Sequence, residues 1–225
     1  AKGGTCEVLD GSSLKRIKSI KLSDDADNIR YDAAARRVYV GYGSGGLGII
    51  DAATDDQLAE IKLDGHPESF QLEKFGPRIF VNIPSSQRIA VVDREKPAAV
   101  TTWSVGGATA NFPMALDETH HRLFVGFRNP ATLVAFDTES GKAVARLDSS
   151  ADADDIFYDN SRQRIYVSGG DGSISIVQQN DADHYKTTTK IPTAPGARTS
   201  LYVPERSRFY LAVPHRGAQT AEVRV

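Results

Sequence analysis

The chain has 225 residues, with 27 Lys and Arg residues against 29 Asp and Glu residues and a single cysteine. A sequence pI near 6.2 and a net charge of −2 disfavour electrostatic binding to nucleic acid, which needs a basic surface. The lone Cys6 excludes an intramolecular disulfide, and no apolar run approaches the roughly 20 residues that span a bilayer. We therefore expect no membrane insertion. No basic segment is followed by an apolar one at the start of this chain, so we also expect that an export signal is absent or already removed.

The first two predicted strands differ in their charge. Thr5 to Asp10 is a short run of strand-forming residues closed by an aspartate, and Cys6 within it is expected to be a buried structural thiol rather than a nucleophile. Leu14 to Leu22 is basic, through Arg16, Lys18 and Lys21. Its charges favour a solvated outer strand, and a patch for an acidic partner is the alternative.

The segment from Ile29 to Leu63 sets a pattern that the rest of the chain repeats. A short apolar run and a polar turn lead to Arg37, which is followed by three residues with an aromatic one in the middle, Val38-Tyr39-Val40. A Gly-rich turn, a run closed by Asp51 and an outer run from Leu58 to Leu63 complete the unit. The runs have the length and turn-forming boundaries of strands, and none has a sustained helical period. The pattern therefore predicts four antiparallel strands.

The pattern recurs along the chain. The Arg-led triplet, in which an aromatic residue stands between apolar ones, is repeated at intervals of 41, 44, 42 and 44 residues, starting at Arg37, Arg78, Arg122, Arg164 and Arg208. The Asp-closed run keeps step with it, ending at Asp10, Asp51, Asp93 and Asp137, with Gln178 in the next corresponding place. A repeated four-stranded unit of about 40 to 45 residues is the signature of a β-propeller blade. We therefore predict an all-β fold, a β-propeller of four-stranded antiparallel blades whose triplet aromatics pack between neighbouring sheets.

These repeats resemble a known family. Four of the triplets, each given with the residue that follows it, read Val-Tyr-Val-Gly, Ile-Phe-Val-Asn, Leu-Phe-Val-Gly and Ile-Tyr-Val-Ser. The turn from Asp137 to Lys142 reads Asp-Thr-Glu-Ser-Gly-Lys. Both elements are similar to those of the YVTN (YncE-like) β-propeller repeat family, and the resemblance covers nearly the whole chain. It implies a bacterial or archaeal protein of the periplasm or the cell exterior. It implies no particular activity, because this architecture hosts unrelated functions.

The repeats predict the domain organisation. A single β-propeller domain, 1–225, is expected to contain partial blades at 1–22 and 193–225 and whole blades at about 23–63, 64–105, 106–148 and 149–192. This amounts to about five blades, and two interpretations stay open. One is a five-bladed ring with a surplus strand; the other is a fragment of a larger ring, seven-bladed in most of the family. An incomplete ring would expose sheet edges and favour self-association.

A glycine-rich motif and a pair of histidines resemble known binding motifs, but their neighbouring residues do not support binding. Residues 41–46 satisfy Gly-x-Gly-x-x-Gly, the dinucleotide fingerprint, but a strand follows them where that motif needs a helix N-terminus. A hairpin turn is therefore predicted. His120 and His121 lie in a polar turn, which favours a solvated turn over a metal-binding pair.

The residues that enter the innermost strand of each blade are the candidate site, because this end of the strand opens onto the central channel. Asp25 to Ile29 and Asp152 to Ile156 are near-duplicates 127 residues apart. The candidate ligand-binding residues at this channel mouth are Asp25, Asp27, Asn28, His66, Glu68, Asn111, Asp152, Asp154, Asp155 and Arg198. Three interpretations stay open: turn structure, a polar ligand fixed by Arg198 and His66, and a hard cation such as Ca²⁺.

These observations support two hypotheses about function. The first is a non-enzymatic binding or scaffold protein of the YVTN type, which recognises a small polar ligand or a protein partner at the channel mouth or a loop face. No cofactor is predicted for it, and Ca²⁺ is the metal considered. The alternative is a propeller enzyme or redox-partner domain, either a metal-dependent lactonase-like hydrolase or a cofactor-associated dehydrogenase subunit. There His66 or His215, with Asp154 and Asp155, would supply acid-base groups or ligands.

Overall fold

The fold is a β-propeller, as the repeats predict. The computed structural model describes residues 3–97 and 100–225, in which 21 strands form antiparallel sheets. The helical elements in these ranges are two short 3₁₀ turns, Pro84–Ser86 and Pro204–Arg206. Neither is long or apolar enough to span a membrane. Together the strands amount to about five blades.

The chain divides into two compact units, residues 1–104 and residues 105–225. In unit 1, β1 and β2 form a two-stranded sheet, and β3 to β6 and β7 to β10 form two four-stranded blades. The strands are β1 (Thr5–Leu9), β2 (Arg16–Lys21), β3 (Asp27–Asp32), β4 (Arg37–Tyr42), β5 (Gly46–Asp51), β6 (Gln57–Lys62), β7 (Phe70–Leu72), β8 (Arg78–Ile83), β9 (Arg88–Asp93) and β10 (Val100–Ser104).

Unit 2 contains two further four-stranded blades, β11 to β14 and β15 to β18, and a three-stranded sheet, β19 to β21. Its strands are β11 (Thr109–Asp117), β12 (Arg122–Asn129), β13 (Ala131–Asp137), β14 (Ala143–Asp148), β15 (Ala153–Asp159), β16 (Arg164–Gly169), β17 (Ser173–Gln179), β18 (Tyr185–Pro192), β19 (Ser200–Val203), β20 (Arg208–Val213) and β21 (Glu222–Arg224). Within each sheet of both units, neighbours in sequence are neighbours in space, which is the pattern of a propeller blade.

The sheet register explains why the two sequence motifs keep step. The Arg that begins the second strand of a blade lies directly opposite the Asp that ends the third strand, as in Arg37 with Asp51 and Arg78 with Asp93. In the blade β11 to β14, Arg122 Nη1 also forms an ion pair with Asp137 Oδ2 at 2.7 Å. The two motifs are therefore cross-strand partners, and a change in their spacing would shift the register of the hairpin.

The motif aspartates also shape the turn that follows them. Asp51 Oδ1 accepts hydrogen bonds from the backbone N–H groups of Ala53 and Thr54, at 2.8 and 3.0 Å. Asp137 Oδ1 accepts one from the Ser140 N–H at 2.8 Å. A carboxylate that bonds the backbone two or three residues ahead is a turn-forming device. The Asp-closed run is thus a strand followed by a side-chain-stabilised turn.

The core of each unit lies between successive sheets. In unit 1, Tyr39 of one blade packs with Phe70 and Ile79 of the next. In unit 2, Phe124 packs with Ile156 and Ile165, and its ring centroid lies 5.4 Å from that of Tyr158. Among the aromatics predicted to pack between sheets, Tyr39, Phe80 and Phe124 are buried, and Tyr166 and Tyr210 are half-buried. The burial of a large aromatic side chain contributes on the order of 2 kcal/mol.

Candidate functional site

The glycine-rich motif forms the hairpin that the sequence predicts. Residues 43–45 turn the chain between β4 and β5, and Gly43 and Gly45 have φ values of 60° and 150°. Such positive values strain residues that carry a Cβ. No helix follows, so this motif is not a dinucleotide-binding element.

Gly41 allows the entry to β7 to approach β4 closely. A Cβ at position 41 would lie 3.0 Å from Pro67 Cγ and 3.2 Å from the Asp27 carbonyl oxygen. Pro67 separates His66 from Glu68, so the missing side chain at position 41 brings both residues toward Asp27. The entry is anchored on its other side by the Glu68 N–H, which donates to the Asn82 carbonyl at 2.9 Å.

Three of the predicted mouth residues converge in unit 1. One donor atom from each of Asp27, His66 and Glu68 lies within 4.8 Å of the other two. Asp27 is exposed, and His66 and Glu68 are half-buried. We call these three residues the His66 cluster. It combines one imidazole and two carboxylates in a position open to solvent.

A backbone contact sets the tautomer of His66. The Nδ1 atom lies 2.6 Å from the Gly43 carbonyl oxygen. Because a carbonyl oxygen only accepts hydrogen bonds, Nδ1 must carry the proton and donate it. In the neutral ring, the Nε2 atom then carries a lone pair that can bind a proton or a metal ion. The carbonyl thus fixes both the orientation and the chemistry of the imidazole.

The other two predicted residues of unit 1 shape the chain around Asp27. Asp25 and Asn28 have φ values of 38° and 46°, in the left-handed region that Asp and Asn tolerate best among residues with a Cβ. The Asn28 N–H donates to Asp27 Oδ1 at 2.7 Å, at an irregularity in the pairing of β3 with β4. This contact orients the Asp27 carboxylate.

In unit 2 the near-duplicate segment forms an ion-pair network. Arg198 Nη1 donates to both carboxylate oxygens of Asp152, at 2.8 and 2.6 Å, and its Nε lies 3.3 Å from Asp154. Arg128 bonds Asp154 at 2.6 Å and lies 3.3 Å from Asp152. The hydrogen bond to Asp152 raises the pKa of Arg198, against the opposing effect of burial. Two guanidinium groups and two carboxylates therefore balance one another.

The remaining two predicted residues of unit 2 have structural surroundings. Asp155 Oδ2 accepts a hydrogen bond from the Ser200 N–H at 2.7 Å, which ties β15 to β19. Asn111 is completely buried in β11, where it lies opposite Phe127. Asp155 thus joins two strands and Asn111 lies in the core, and the predicted contact of both residues with a ligand stays a prediction.

Sequence reasoning missed Arg128, although it binds two of the predicted aspartates. Its guanidinium also lies 4.0 Å from the centre of the Phe112 ring, a cation–π contact. Arg128 extends a strand that is two residues longer than the corresponding β4, so it has no counterpart in the repeat. The apolar run before it, Leu123 to Phe127, is no longer than the equivalent run from Val38 to Tyr42, so no sequence signal indicates Arg128.

A second feature of unit 1 was also missed. Phe75, in the loop between β7 and β8, is 93% exposed. Beside it are two grooves of about 400 and 420 Å³, and the exposed Tyr31 lies on the wall of the larger one. We call the surface formed by Tyr31, Lys74, Phe75 and Arg94 the Phe75 face. The His66 cluster precedes β7 and the Phe75 loop follows it, so the two features lie at opposite ends of this strand.

Arg94 holds the loop that carries Phe75. Its guanidinium donates to the backbone carbonyls of Glu73 at 2.7 Å and Pro77 at 3.1 Å, and also to that of Gly76. The same group forms an ion pair with Asp32. One arginine thus ties three carbonyls of residues 73–77 to a neighbouring blade of the unit.

The other predicted polar residues lie outside these clusters. His120 Nδ1 bonds Asp117 at 2.8 Å within the polar turn that the sequence indicates, and His184 Nδ1 bonds Asp181 at 2.9 Å in a similar turn. His215 is exposed after β20. Cys6 is half-buried against the core of unit 1, and burial raises the pKa of its thiol. This shift disfavours the reactive thiolate.

Comparison with known proteins shows the fold. No family model and no curated protein matches the chain, so the resemblance to YVTN repeats stays a prediction. Among solved structures 1287 chains match, too many for the fold to select a function. One belongs to a crystal structure of a mitotic checkpoint complex, with a TM-score of 0.81 and 13% identity. The match covers 93% of this chain and 65% of that chain. At this identity the likeness concerns the fold alone.

Proposed function

We propose that this chain is a non-enzymatic β-propeller binding or scaffold protein that docks a protein partner through the Phe75 face. The observation that carries the proposal is the 93% exposed Phe75 ring on a loop that Arg94 ties to the blade. An exposed phenylalanine contributes little to folding, whereas an aromatic side chain held in place beside a groove is the usual anchor of a protein interface.

The surroundings of Phe75 define the kind of partner. Tyr31 adds a second exposed aromatic, and Lys74 and Arg37 add positive charge to the rim of the grooves, where Glu95 is also exposed. A partner that offers an apolar pocket for the Phe75 ring and carboxylates for the rim fits this surface. Because the loop is already ordered, little conformational entropy is lost on binding.

The experiment introduces a photo-crosslinking phenylalanine analogue at position 75 and identifies the proteins captured in cells that express the chain. The matched control carries the analogue at Leu14, which is also exposed but lies in the turn between β1 and β2. The affinity of each purified partner is then compared between the wild-type protein and Phe75→Ser. We expect a loss of at least about 30-fold, the effect of truncating an interface anchor.

Stability serves as the internal control. Phe75→Ser should change the free energy of unfolding by less than about 0.5 kcal/mol, because the side chain is exposed. Equal affinity of the two proteins for every captured partner would overturn the proposal. Sedimentation of the wild-type protein alone distinguishes self-association from the binding of a different partner.

A propeller enzyme is the second candidate, and the His66 cluster is the observation that favours it. Paired carboxylates beside an imidazole can move protons or hold a metal ion, as hydrolysis of a lactone or ester requires. Assays of lactone and ester hydrolysis with Asp27→Asn as the control test it. Turnover that this variant abolishes would favour the enzyme over the binding protein.

A further inference from the structure

We propose that Asp27, His66 and Glu68 bind one divalent transition-metal ion, and that Zn²⁺ is the ion that suits these donors best. This inference goes beyond the docking role, because it requires neither a protein partner nor turnover. Asp27 is the first residue of β3, and His66 and Glu68 lie on the segment that enters β7. The donors therefore come from two successive blades of the same unit.

The donor set separates transition metals from Ca²⁺. Calcium takes six to eight oxygen ligands, whereas imidazole nitrogen is a ligand of Zn²⁺ and its neighbours in the first transition row. One imidazole and two carboxylates supply three ligands to a tetrahedral ion and leave a fourth position for water. The cluster therefore fits Zn²⁺ better than the hard cation considered from the sequence.

The three donor atoms need to move only a short distance toward one another to coordinate one ion. The three donor atoms lie within 4.8 Å of one another, and ligands around a tetrahedral Zn²⁺ ion are about 3.4 Å apart. The difference is at most about 1.4 Å, which small movements of the half-buried Glu68 side chain and of the Asp27 carboxylate about its Asn28 N–H contact can make up. The glycine at position 41 already brings the His66 segment close to β4.

The Gly43 carbonyl orients His66 in the way that metal-binding histidines are oriented. Such residues donate the proton of their second ring nitrogen to a backbone carbonyl or a carboxylate, which fixes the tautomer and raises the basicity of the coordinating nitrogen. The 2.6 Å contact of His66 Nδ1 supplies this bond from outside the cluster. Because this bond occupies Nδ1, we assign Nε2 as the atom of His66 that would coordinate the ion.

The near-duplicate segment of unit 2 provides an internal comparison. There the corresponding carboxylate, Asp154, bonds Arg128 and Arg198, the latter from the segment that enters the next blade. In unit 1 the segment that enters the next blade supplies His66 and Glu68 in place of an arginine. The aspartate of this segment therefore binds arginine side chains in unit 2, whereas in unit 1 it lies beside side chains that can bind a metal ion.

The test is isothermal titration calorimetry of the intact protein with Zn²⁺ and, separately, with Mn²⁺ and Ca²⁺. We expect one Zn²⁺ ion per chain, bound more tightly than Ca²⁺. His66→Ala and Glu68→Gln should each weaken Zn²⁺ binding by at least about tenfold, since even the residues that orient a ligand cost this much. Absorption of the Co²⁺ form gives a second readout, because its visible bands report the coordination number.

A matched control separates the site from adventitious binding. His184 pairs with Asp181 at 2.9 Å on the surface, so His184→Ala removes an exposed imidazole beside a carboxylate without touching the cluster. It should leave Zn²⁺ binding unchanged. Asp27→Asn alters an exposed side chain and keeps the test informative if the His66 variant fails to fold. Tighter binding of Ca²⁺ than Zn²⁺, no bound Zn²⁺, or binding that survives both His66→Ala and Asp27→Asn would overturn the inference.

Discussion

The hydroxyl of Tyr202 donates a hydrogen bond to Asp159 Oδ2 at 2.6 Å and joins the first strands of two successive sheets in unit 2. Burial alone would raise the pKa of Asp159. Hydrogen bonds from Ser161, Tyr202 and Arg162 outweigh burial and hold the pKa well below its usual range. Burial and the same bond raise the pKa of Tyr202 to about 12. The contact therefore stabilises a charged carboxylate and a neutral phenol together.

Tyr202→Phe should lower the free energy of unfolding by about 1.5 to 3 kcal/mol, the contribution of a buried hydrogen bond to a charged group. The variant retains the aromatic ring and its packing against Tyr166, so the loss of stability measures the contribution of the hydroxyl group. Urea unfolding measures it. Tyr210→Phe makes the same chemical change one strand further along and should cost less than about 0.5 kcal/mol. Equal effects of the two variants would contradict the role of the Asp159 contact.

Acid should remove the contribution of Asp159 to stability. Its pKa is lower in the folded state than the value of about 3.9 in the unfolded chain, so the unfolded state takes up the proton first. The stabilisation is fully present above pH of about 4 and is lost progressively as the pH falls below it. The stability difference between wild type and Asp159→Asn should therefore narrow from pH 5 to pH 2, as followed by urea unfolding at each pH. A constant difference would contradict this.

The repeat allowed the blades to be predicted because its motifs reflect local interactions, namely strand burial and turn formation. The Arg-led triplet marks a buried second strand, and Asp51 and Asp137 mark strand ends through the turns that their carboxylates form. Residues that enter each blade could also be located, because the register places them at one end of a strand. Such features depend on neighbours in sequence or on the period of the repeat.

The chemistry of the candidate site could not be predicted in the same way. Asp27 and Asp154 occupy equivalent places in near-identical segments, yet one lies beside His66 and the other beside Arg128. The difference arises from side chains brought in by the tertiary structure. Arg94 likewise reaches the carbonyls of residues 73–77 from another hairpin, and no local pattern indicates such a contact.

Gly41→Ala should destabilise unit 1 by about 1 to 3 kcal/mol, the usual effect of adding a methyl group to a closely packed position. The new Cβ would lie 3.0 Å from Pro67 Cγ, so the entry to β7 must move away from β4. The matched control is Gly11→Ala, whose Cβ would meet no atom within 4 Å. Thermal unfolding of both variants measures the effect. A Gly41→Ala variant as stable as Gly11→Ala would show that the close approach is unnecessary.

Arg94→Ala should both lower stability and release the loop that presents Phe75. Removing the guanidinium leaves the Asp32 carboxylate, 9% exposed, without its ion-pair partner, at a cost of about 3 kcal/mol. The carbonyls of Glu73, Gly76 and Pro77 lose a shared donor at the same time. We therefore expect faster amide hydrogen exchange at residues 74–76 than in the wild-type protein, measured by mass spectrometry below the unfolding temperature.

The control for this prediction is Arg88→Ala, which removes an exposed guanidinium bonded to the Thr102 hydroxyl at 3.4 Å on the same blade. Its effect on stability should stay within about 0.5 kcal/mol, and exchange at residues 74–76 should not change. Weaker partner binding in Arg94→Ala is also expected, because Arg94 both holds the loop and belongs to the Phe75 face. Unchanged exchange in Arg94→Ala would instead mean that the ion pair between Glu73 and Arg78, at 2.6 Å, is sufficient to hold the loop.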